Sequence, residues 1–518
     1  MEPTHSLRAR TEEVLRQALA ACRAHPALHG LAKEIQVQMT RIGEPMRVAI
    51  VGTRNSGKST LTNALLGDYV ALTGNYELTA RANWFRHGET AKLIVHATDG
   101  SEYELPLHEL ESLTDQTKAD QEQLDRIRWI EVIHPSEMLR QFDLVDTPGL
   151  HSFFQNDSQN TLELLTSEES RPHALVMVFD KEMKDYPFED LKRFQDGQGN
   201  LISGLTAIGV LTKVDGNPAQ RLSGGETVIQ KFRKNHPVVA DRLFDILPVS
   251  ALAGLGAQTI AAEEVSTLCE VAVLPDDERE MLLADAKQFE TEEYPESLAT
   301  PSANRRAKLA KRMGRYGIAI AIESLLAGRK LEEVMADVFS ASNLASVRAL
   351  LTGHFGNRAF LIKCGAGMER LHQAAQTIIH AGGPGRAGAL QVRRLLTEIL
   401  SDARYYELRV LQRHYRNELR NLDRPCVEEM LRLTGEHGLD CAARLGQPAD
   451  TPVDKLTELA ARNAENWHAR AVRHTGRDQF EEAEACRDLA SACTLLADRL
   501  REICRLRGAA DELWNFGY

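Results

Sequence analysis

No apolar run in the chain approaches the roughly 20 residues that a membrane-spanning helix requires. The best candidate, Tyr316 to Leu326, is short and carries Glu323. Any contact with a membrane is therefore expected to be peripheral. The first ten residues lack the apolar stretch and small-residue cleavage site of a secretory signal, which leads to the expectation of a cytoplasmic protein. Cysteine is sparse: eight residues, from Cys22 to Cys504, contain no Cys-x-x-Cys pair. That spacing excludes a zinc ribbon and a disulfide scaffold and fits a reducing compartment. Cys486, Cys493 and Cys504 fall on one helical face and read as small apolar core residues. There is also no excess of positive charge. Lys and Arg number 62 against 74 Asp and Glu, a net charge of -12, which argues against a dedicated nucleic-acid binder.

What is present is a 518-residue chain that is 43% hydrophobic, enough for two or three domains. Residues 5 to about 42 read as helix, with Leu28, Leu31, Ile35, Met39 and Ile42 at three- and four-residue steps and a break or kink at Pro26. From Arg47 the pattern changes to short apolar runs: 47–51, 92–96, 129–133, 142–145, 174–179, 206–211 and 244–248. Helix-length segments separate several of them, the alternation expected of an α/β domain with a mostly parallel sheet. After about Ile260 the strand signal disappears and amphipathic helix patterns take over, punctuated at Pro295, Pro301, Gly382 to Gly385, Pro425, Gly446 to Pro448 and Gly476. The expected organisation is an N-terminal helical segment (1–44), an α/β P-loop domain (45–260) and a long all-α region (261–518). An acidic block, Asp276 to Glu296, precedes a basic run from Arg305 to Arg315. The two read either as solvated helix faces that pair with each other or as a phosphate- or lipid-facing feature.

Gly52-Thr53-Arg54-Asn55-Ser56-Gly57-Lys58-Ser59 fits the phosphate-binding pattern G-x-x-x-x-G-K-[ST] and lies between a strand and the helix opening at Thr60. Gly52 and Gly57 let backbone N–H groups, including that of Ser56, converge on phosphates. Lys58 reaches the β- and γ-phosphate oxygens, and the Ser59 hydroxyl can ligate Mg²⁺. Asp146-Thr147-Pro148-Gly149 ends another strand, where Asp146 would hold Mg²⁺ and the Gly149 N–H would touch a γ-phosphate. Thr212-Lys213-Val214-Asp215 closes a third strand and reads as a guanine-specificity tetrapeptide, with the Asp215 carboxylate facing N1–H and N2–H₂ of the base. Ser250 and Ala251 stand where a backbone N–H would meet guanine O6. Four elements in this order, each at a strand end, read as a GTPase with GTP and GDP as ligands. Thr79 is the candidate for the second Mg²⁺ hydroxyl, with Thr73 as the competitor. Leu150 stands where small GTPases often place a glutamine. Asn55 reads as a residue that stabilises the turn; resemblance to GTPases with Asn at this place implies the alternative, a K⁺-binding group beside the phosphates.

Through these motifs, and through Leu78-Thr79-Ala80, the chain resembles the dynamin-like GTPases of bacteria. The 87 residues from Ser59 to Asp146 suit that family's enlarged G domain. Arg312 to Ile318, Leu433 to Gly438 and Arg444 to Gly446 are similar to segments of the actinobacterial branch that includes the isoniazid-inducible proteins. The resemblance implies a helical neck built from both ends of the chain, a longer stalk, and GTP-dependent pairing of G domains as a homodimer or with a related GTPase. It also implies peripheral membrane remodelling on the inner face of the cell membrane. The tip-like candidate for anionic lipid is Gly382 to Gly388, with the arginines from Arg386 to Arg420 that follow; an ordinary solvated helix is the competing reading. A partner-regulated switch without membrane activity is the alternative function.

Overall fold

The computed structural model describes residues 3–53, 55–71, 83–110, 126–146, 172–180, 206–214, 222–240, 243–294, 300–415, 418–438 and 440–515. The described residues form two compact units, one within 45–357 and one combining 1–44 with 358–518.

The first unit is built on a nine-stranded sheet. Its strands are β1 (Met46–Gly52), β2 (Asn83–His87), β3 (Lys92–Ala97), β4 (Glu102–Leu105), β5 (Ile127–His134), β6 (Phe142–Asp146), β7 (Ala174–Phe179), β8 (Ala207–Leu211) and β9 (Ile246–Pro248), in the order β4-β3-β5-β2-β6-β1-β7-β8-β9. β6, β1, β7, β8 and β9 run parallel, and β1, β6, β7 and β8 are buried along their whole length. Strands covered on both faces need continuous apolar runs, which is why Arg-Val-Ala-Ile-Val and Ala-Leu-Val-Met-Val-Phe stand out in the sequence. β2 lies antiparallel to β6 and parallel to β5, and β3 lies antiparallel to both β5 and β4. β2 and β4 are the two strands that the apolar pattern does not reveal: β4 is an exposed edge strand, and β2 is a mixed Asn-Trp-Phe-Arg-His segment.

The expected domain boundary at 260 differs from the observed grouping, because the helices of 262–350 share the unit with the sheet. The reason is the helix Ala251–Thr259, Ala-Leu-Ala-Gly-Leu-Gly-Ala-Gln-Thr. A Cβ on Gly256 would lie 2.3 Å from the Met313 Cβ, and one on Gly254 would lie 2.9 Å from Leu344. The missing side chains let the helices Ala303–Leu326 and Leu344–Leu350 approach closely, and Leu268, Phe289, Leu309, Met313, Ile318 and Val338 complete an apolar core. Among the described residues the basic run divides its contacts: Arg306 and Arg315 donate to main-chain carbonyls of the 276–296 block, including Phe289 O and Leu283 O, while the side-chain ion pairs are made with acids ahead of it. Arg305 bonds Glu270, Arg312 bonds Glu264, and Lys308 faces Glu263.

In the second unit, α1 (Pro3–Arg23) and α2 (His29–Gly43), separated by a short turn at Pro26–Leu28, replace the single broken helix of the sequence reading. α1 packs along the helix Arg386–Leu400, so elements from both ends of the chain share one core. The helices Val453–Thr475 and Phe480–Asn515 form a long hairpin around the fully buried Trp467, Leu489, Cys486 and Cys493. Cys486 and Cys493 therefore serve as core residues, and burial pushes both thiols up to about 12; Cys504, expected on the same face, is half-buried and outside that cluster. Much of the expected cationic face is committed to ion pairs: Arg409 and Arg413 meet Asp488, and Arg404 bonds Asp402. Gly388 is buried against His25 and Leu28.

Candidate functional site

The parallel strands end together. In register, Ile50 of β1 lies beside Asp146 at the end of β6, Gly52 beside Val178 of β7, and Leu211 of β8 between Phe179 and Pro248. The carboxyl ends of an open parallel sheet form the crevice where ligands bind in α/β folds.

The chain leaves β1 at Gly52 and turns into α3 (Lys58–Leu66) through a loop with two left-handed residues, Asn55 (φ 61) and Gly57 (φ 92). A Cβ on Gly52 would stand 2.5 Å from the Val178 carbonyl and 2.7 Å from the Ser56 hydroxyl, so only glycine fits. Asn is among the few residues that tolerate the left-handed region, so the Asn55 backbone by itself accounts for that residue in the turn. α3 is anchored by the buried Leu61, Ala64 and Leu65. Each buried leucine contributes about 1.5–3 kcal/mol, which fixes the helix whose first residues are Lys58, Ser59 and Thr60.

Lys58 is 8% exposed, and its ammonium donates to the loop's own carbonyls, Gly52 O at 3.3 Å and Thr53 O at 3.0 Å. Burial pulls the Lys58 pKa below the ordinary lysine value, and the opposing pull comes from Asp146. The Ser59 hydroxyl donates to Asp146 Oδ2 at 3.0 Å. Asp146 is fully buried, and that burial raises its carboxyl from 3.8 to about 6 against the influence of Lys58 and Ser59. Asp146 Oδ1 is buried without a hydrogen-bond partner among the described residues. An orphaned carboxylate oxygen beside a serine hydroxyl is a hard oxygen donor pair that fits Mg²⁺, an ion commonly held by one or two protein oxygens plus phosphates. Among the described residues there is no cluster of three or more His, Cys, Asp or Glu able to hold a metal.

The base-side motif is tied to the phosphate loop. The Thr212 hydroxyl lies between Ser56 O and Phe179 O, and its N–H donates to Phe179 O at 2.8 Å. Lys213 follows with φ 56, a bend that carries the chain out of β8. Ser250 is buried ahead of the helix opening at Ala251, and its N–H donates to Ser342 O at 3.0 Å. Gly52, Asn55, Ser56, Gly57, Lys58, Ser59, Thr60, Asp146, Thr212, Lys213, Ser250 and Ala251 are thus all described at the carboxyl ends of the sheet or on the helices opening there. Thr73, Thr79, Gly149 and Asp215 lie outside the described residues.

Asn63 is a site-shaping residue that the motifs do not contain. Its side chain accepts from Val70 N and Ala71 N at 2.9 and 2.6 Å and donates to Ala71 O at 2.6 Å. It fixes the chain leaving α3 towards the segment that holds Thr79. Its sequence signal is slight: Asn63 lies one turn before Gly67, which caps the helix in the left-handed region.

Residues 48–214 match the model of the dynamin family. Isoniazid-induced protein IniC of Mycobacterium tuberculosis is 29% identical over 492 residues, 92% of this chain and 96% of that protein. Dynamin-like protein 2 of Campylobacter jejuni is 30% identical over 139 residues, 27% of this chain and 22% of that protein. Among solved structures, a chain of an oligomerised bacterial dynamin pair covers 98% of this chain and 93% of its own at 13% identity. Its TM-score of 0.34 is too low for that likeness to bear on the arrangement here.

Proposed function

We propose that this chain, whose residues 48–214 match the dynamin family, is a bacterial dynamin-like GTPase that hydrolyses GTP to GDP and phosphate in a Mg²⁺-dependent reaction at the Lys58, Ser59 and Asp146 cluster. The reading further holds that G domains pair and move the helical unit. The single observation that carries the site is the buried Asp146 carboxylate oxygen that has no hydrogen-bond partner among the described residues, beside the Ser59 hydroxyl and at the foot of a loop whose lysine donates to its own carbonyls.

In this reading the β- and γ-phosphate oxygens take over the Lys58 ammonium from Gly52 O and Thr53 O. The backbone N–H groups of Ser56 and the first turn of α3 face the same phosphates with the favourable end of the helix dipole. Ser59 and Asp146 would hold Mg²⁺, with Thr79 supplying the second hydroxyl. The ion neutralises charge that develops on the phosphate oxygens. The Gly149 N–H would contact the γ-phosphate, and loss of that phosphate would release the segment behind it. Thr212, Lys213 and Asp215 select guanine, and the Ser250–Ala251 turn borders O6. Asn55 is the residue that would hold K⁺ beside the phosphates. The protein works in the cytoplasm and at the inner face of the cell membrane as a homodimer or with a related GTPase. The membrane role follows from the resemblance to the dynamin family. The contact proposed is peripheral; no single described helix is long and apolar enough to cross a bilayer, and the one bent pair that passes by length and composition, Leu331–Ala341 with 344–355, has Val334, Val338, Leu344, Val347 and Leu351 buried in the protein's own core.

The test is GTP turnover against protein concentration, in KCl with Mg²⁺, with and without anionic liposomes. Specific activity that climbs with concentration and again with lipid supports the full reading. A flat, slow rate leaves the GTPase and replaces pairing and membrane work with a partner-regulated switch.

A further inference from the structure

One segment touches two elements of the proposed nucleotide site, the turn before Ser250 and the far end of α3, and then leads out of the sheet unit. It begins at Ser342 and Asn343, where the chain bends by 59° between the helix Leu331–Ala341 and the residues 344–355. Asn343 is a non-glycine residue in the left-handed region (φ 60). Its Nδ2 donates to Pro248 O at 2.8 Å, and Ser342 O accepts from Ser250 N at 3.0 Å. These bonds hold the turn that precedes Ser250 and Ala251 on the base side. One and a half turns further on, Arg348 reaches the far end of α3. Its guanidinium donates to Ala64 O at 2.7 Å and Leu65 O at 2.9 Å, the terminal carbonyls of α3, and to Gln258 Oε1 at 2.7 Å. Gln258 itself donates to Ala64 O at 3.2 Å. A cation on the last carbonyls of a helix stabilises its negative end. The helix capped in this way is the one whose first turn carries Lys58 and Ser59.

The same segment continues as a π-helical turn over Leu351–Gly356, with buried His354 set against Phe244, 3.9 Å between ring centroids. π turns are uncommon and concentrate where a helix adjusts for function. Immediately beyond, at 357/358, the chain passes into the helical unit and opens the helix Asn357–Ala381. Within that unit Lys363 faces the carbonyls of Arg41, Ile42 and Glu44 at the end of α2. The outgoing helix is thus fastened to the residues that lead into β1.

We propose that Ser342–Phe355 is the strut through which nucleotide occupancy reaches the helical unit, with Asn343 and Arg348 as its two positioning residues. The proposal rests on the reading of Lys58, Ser59 and Asp146 as the nucleotide site. A ligand that draws the N-terminus of α3 towards its phosphates shifts the carbonyls that Arg348 grips. A base that settles against the Ser250 turn shifts the carbonyl that Asn343 grips. A coupling of this kind requires that both ligand contacts bias one element, and residues 342–348 are that element.

The experiment is amide hydrogen exchange on the full chain, without nucleotide and with Mg²⁺ plus GDP or a non-hydrolysable GTP analogue. It compares the wild type with Arg348→Met, and with Asn343→Gly, which keeps the left-handed backbone and removes the amide. The wild type is expected to show nucleotide-dependent protection both at 52–60 and across 351–381. In Arg348→Met the change at 351–381 falls at least threefold, while protection at 52–60 stays within twofold of the wild type. If Arg348→Met does not fold, Asn343→Gly takes its place under the same criterion. Undiminished nucleotide-dependent change at 351–381 in the folded variant overturns the proposal. So does a wild type protected at 52–60 but unchanged at 351–381. A wild type with no protection at 52–60 removes the nucleotide-site reading itself, and the strut with it.

Discussion

Asp146→Asn should stabilise the nucleotide-free protein while destroying its use of Mg²⁺. The carboxyl is fully buried and its folded pKa is about 6 against an ordinary 3.8, raised chiefly by burial. A shift of about 2 pKa units at about 1.36 kcal/mol each is worth about 3 kcal/mol. Because the folded value lies above the unfolded one, the folded state holds the extra proton in between. The penalty is absent below about pH 4, grows as pH rises towards 6 and is complete above it. An amide of the same shape carries no such penalty. At pH 7.5 in EDTA the variant should exceed the wild type by up to about 3 kcal/mol, and each kcal/mol corresponds to roughly 2–4 °C in Tm for a domain of 150–250 residues. At pH 4.5 the difference should shrink to about 1 kcal/mol. Adding Mg²⁺ and GDP should raise the Tm of the wild type and leave the variant unmoved. Thermal unfolding across pH 4.5 to 8 measures all of this. A variant less stable than the wild type at pH 7.5, or a difference between the two that does not change with pH, would refute the assignment of burial strain to this carboxylate.

Lys58→Ala should weaken binding of a fluorescent GTP analogue by at least 100-fold, since a buried charge-assisted contact to phosphate is lost; wild-type affinity in titration removes the P-loop assignment. Gly52→Ala puts a Cβ 2.5 Å from the Val178 carbonyl, so the loop must shift and GDP affinity should drop at least tenfold by calorimetry. Asp215→Asn should relax the preference for guanine towards xanthine, read by competition among GTP, ATP and XTP; an unchanged preference for GTP counts against the base-side motif. For Asn55, turnover in KCl should exceed turnover in NaCl, and Asn55→Asp or Asn55→Ala should remove the difference; equal rates in both salts leave the residue a turn former.

The parts of the fold that were legible in the sequence are those where one strong physical requirement acts alone. A strand buried on both faces must be continuously apolar, and β7 was read from residue 174 to 179 as it stands. A phosphate loop needs glycine at fixed offsets after a strand, so Gly52 to Ser59 was legible as a unit. The unread strands answer to weaker requirements: β4 is exposed on an edge, and β2 mixes Asn83, Arg86 and His87 with Trp84 and Phe85 because Arg86 bonds Glu131 and Asp143 across the sheet. The boundary at 260 followed the end of strand signals, whereas the unit extends to 357 because Gly254 and Gly256 admit helices from far along the chain. Close approach of that kind leaves only small residues in a helix, a pattern with many other causes. Ion-pair choice was equally hidden. Charge blocks show that pairing occurs, but Glu264 rather than the nearer acidic block meets Arg312 because helix packing selects the partner.

The proposed site carries two electrostatic deficits of opposite sign, and a nucleotide with its divalent cation would resolve both. Among the described residues the Lys58 ammonium donates to main-chain carbonyls alone, and burial lowers its pKa. Asp146 is buried with one oxygen unpartnered among the described residues, and burial raises its pKa. Neutralising either group alone would deprive the other of its compensating neighbour, since each names the other as the opposing charge. A polyphosphate bound with a divalent cation supplies an anion for the lysine and a cation for the aspartate together. Linkage then requires that nucleotide and Mg²⁺ bind cooperatively, and that Mg²⁺ taken up near pH 6 expel a proton from Asp146. A site built only for stability would pair the two groups directly; here Asp146 instead accepts from Ser59 and Lys58 turns to its own loop.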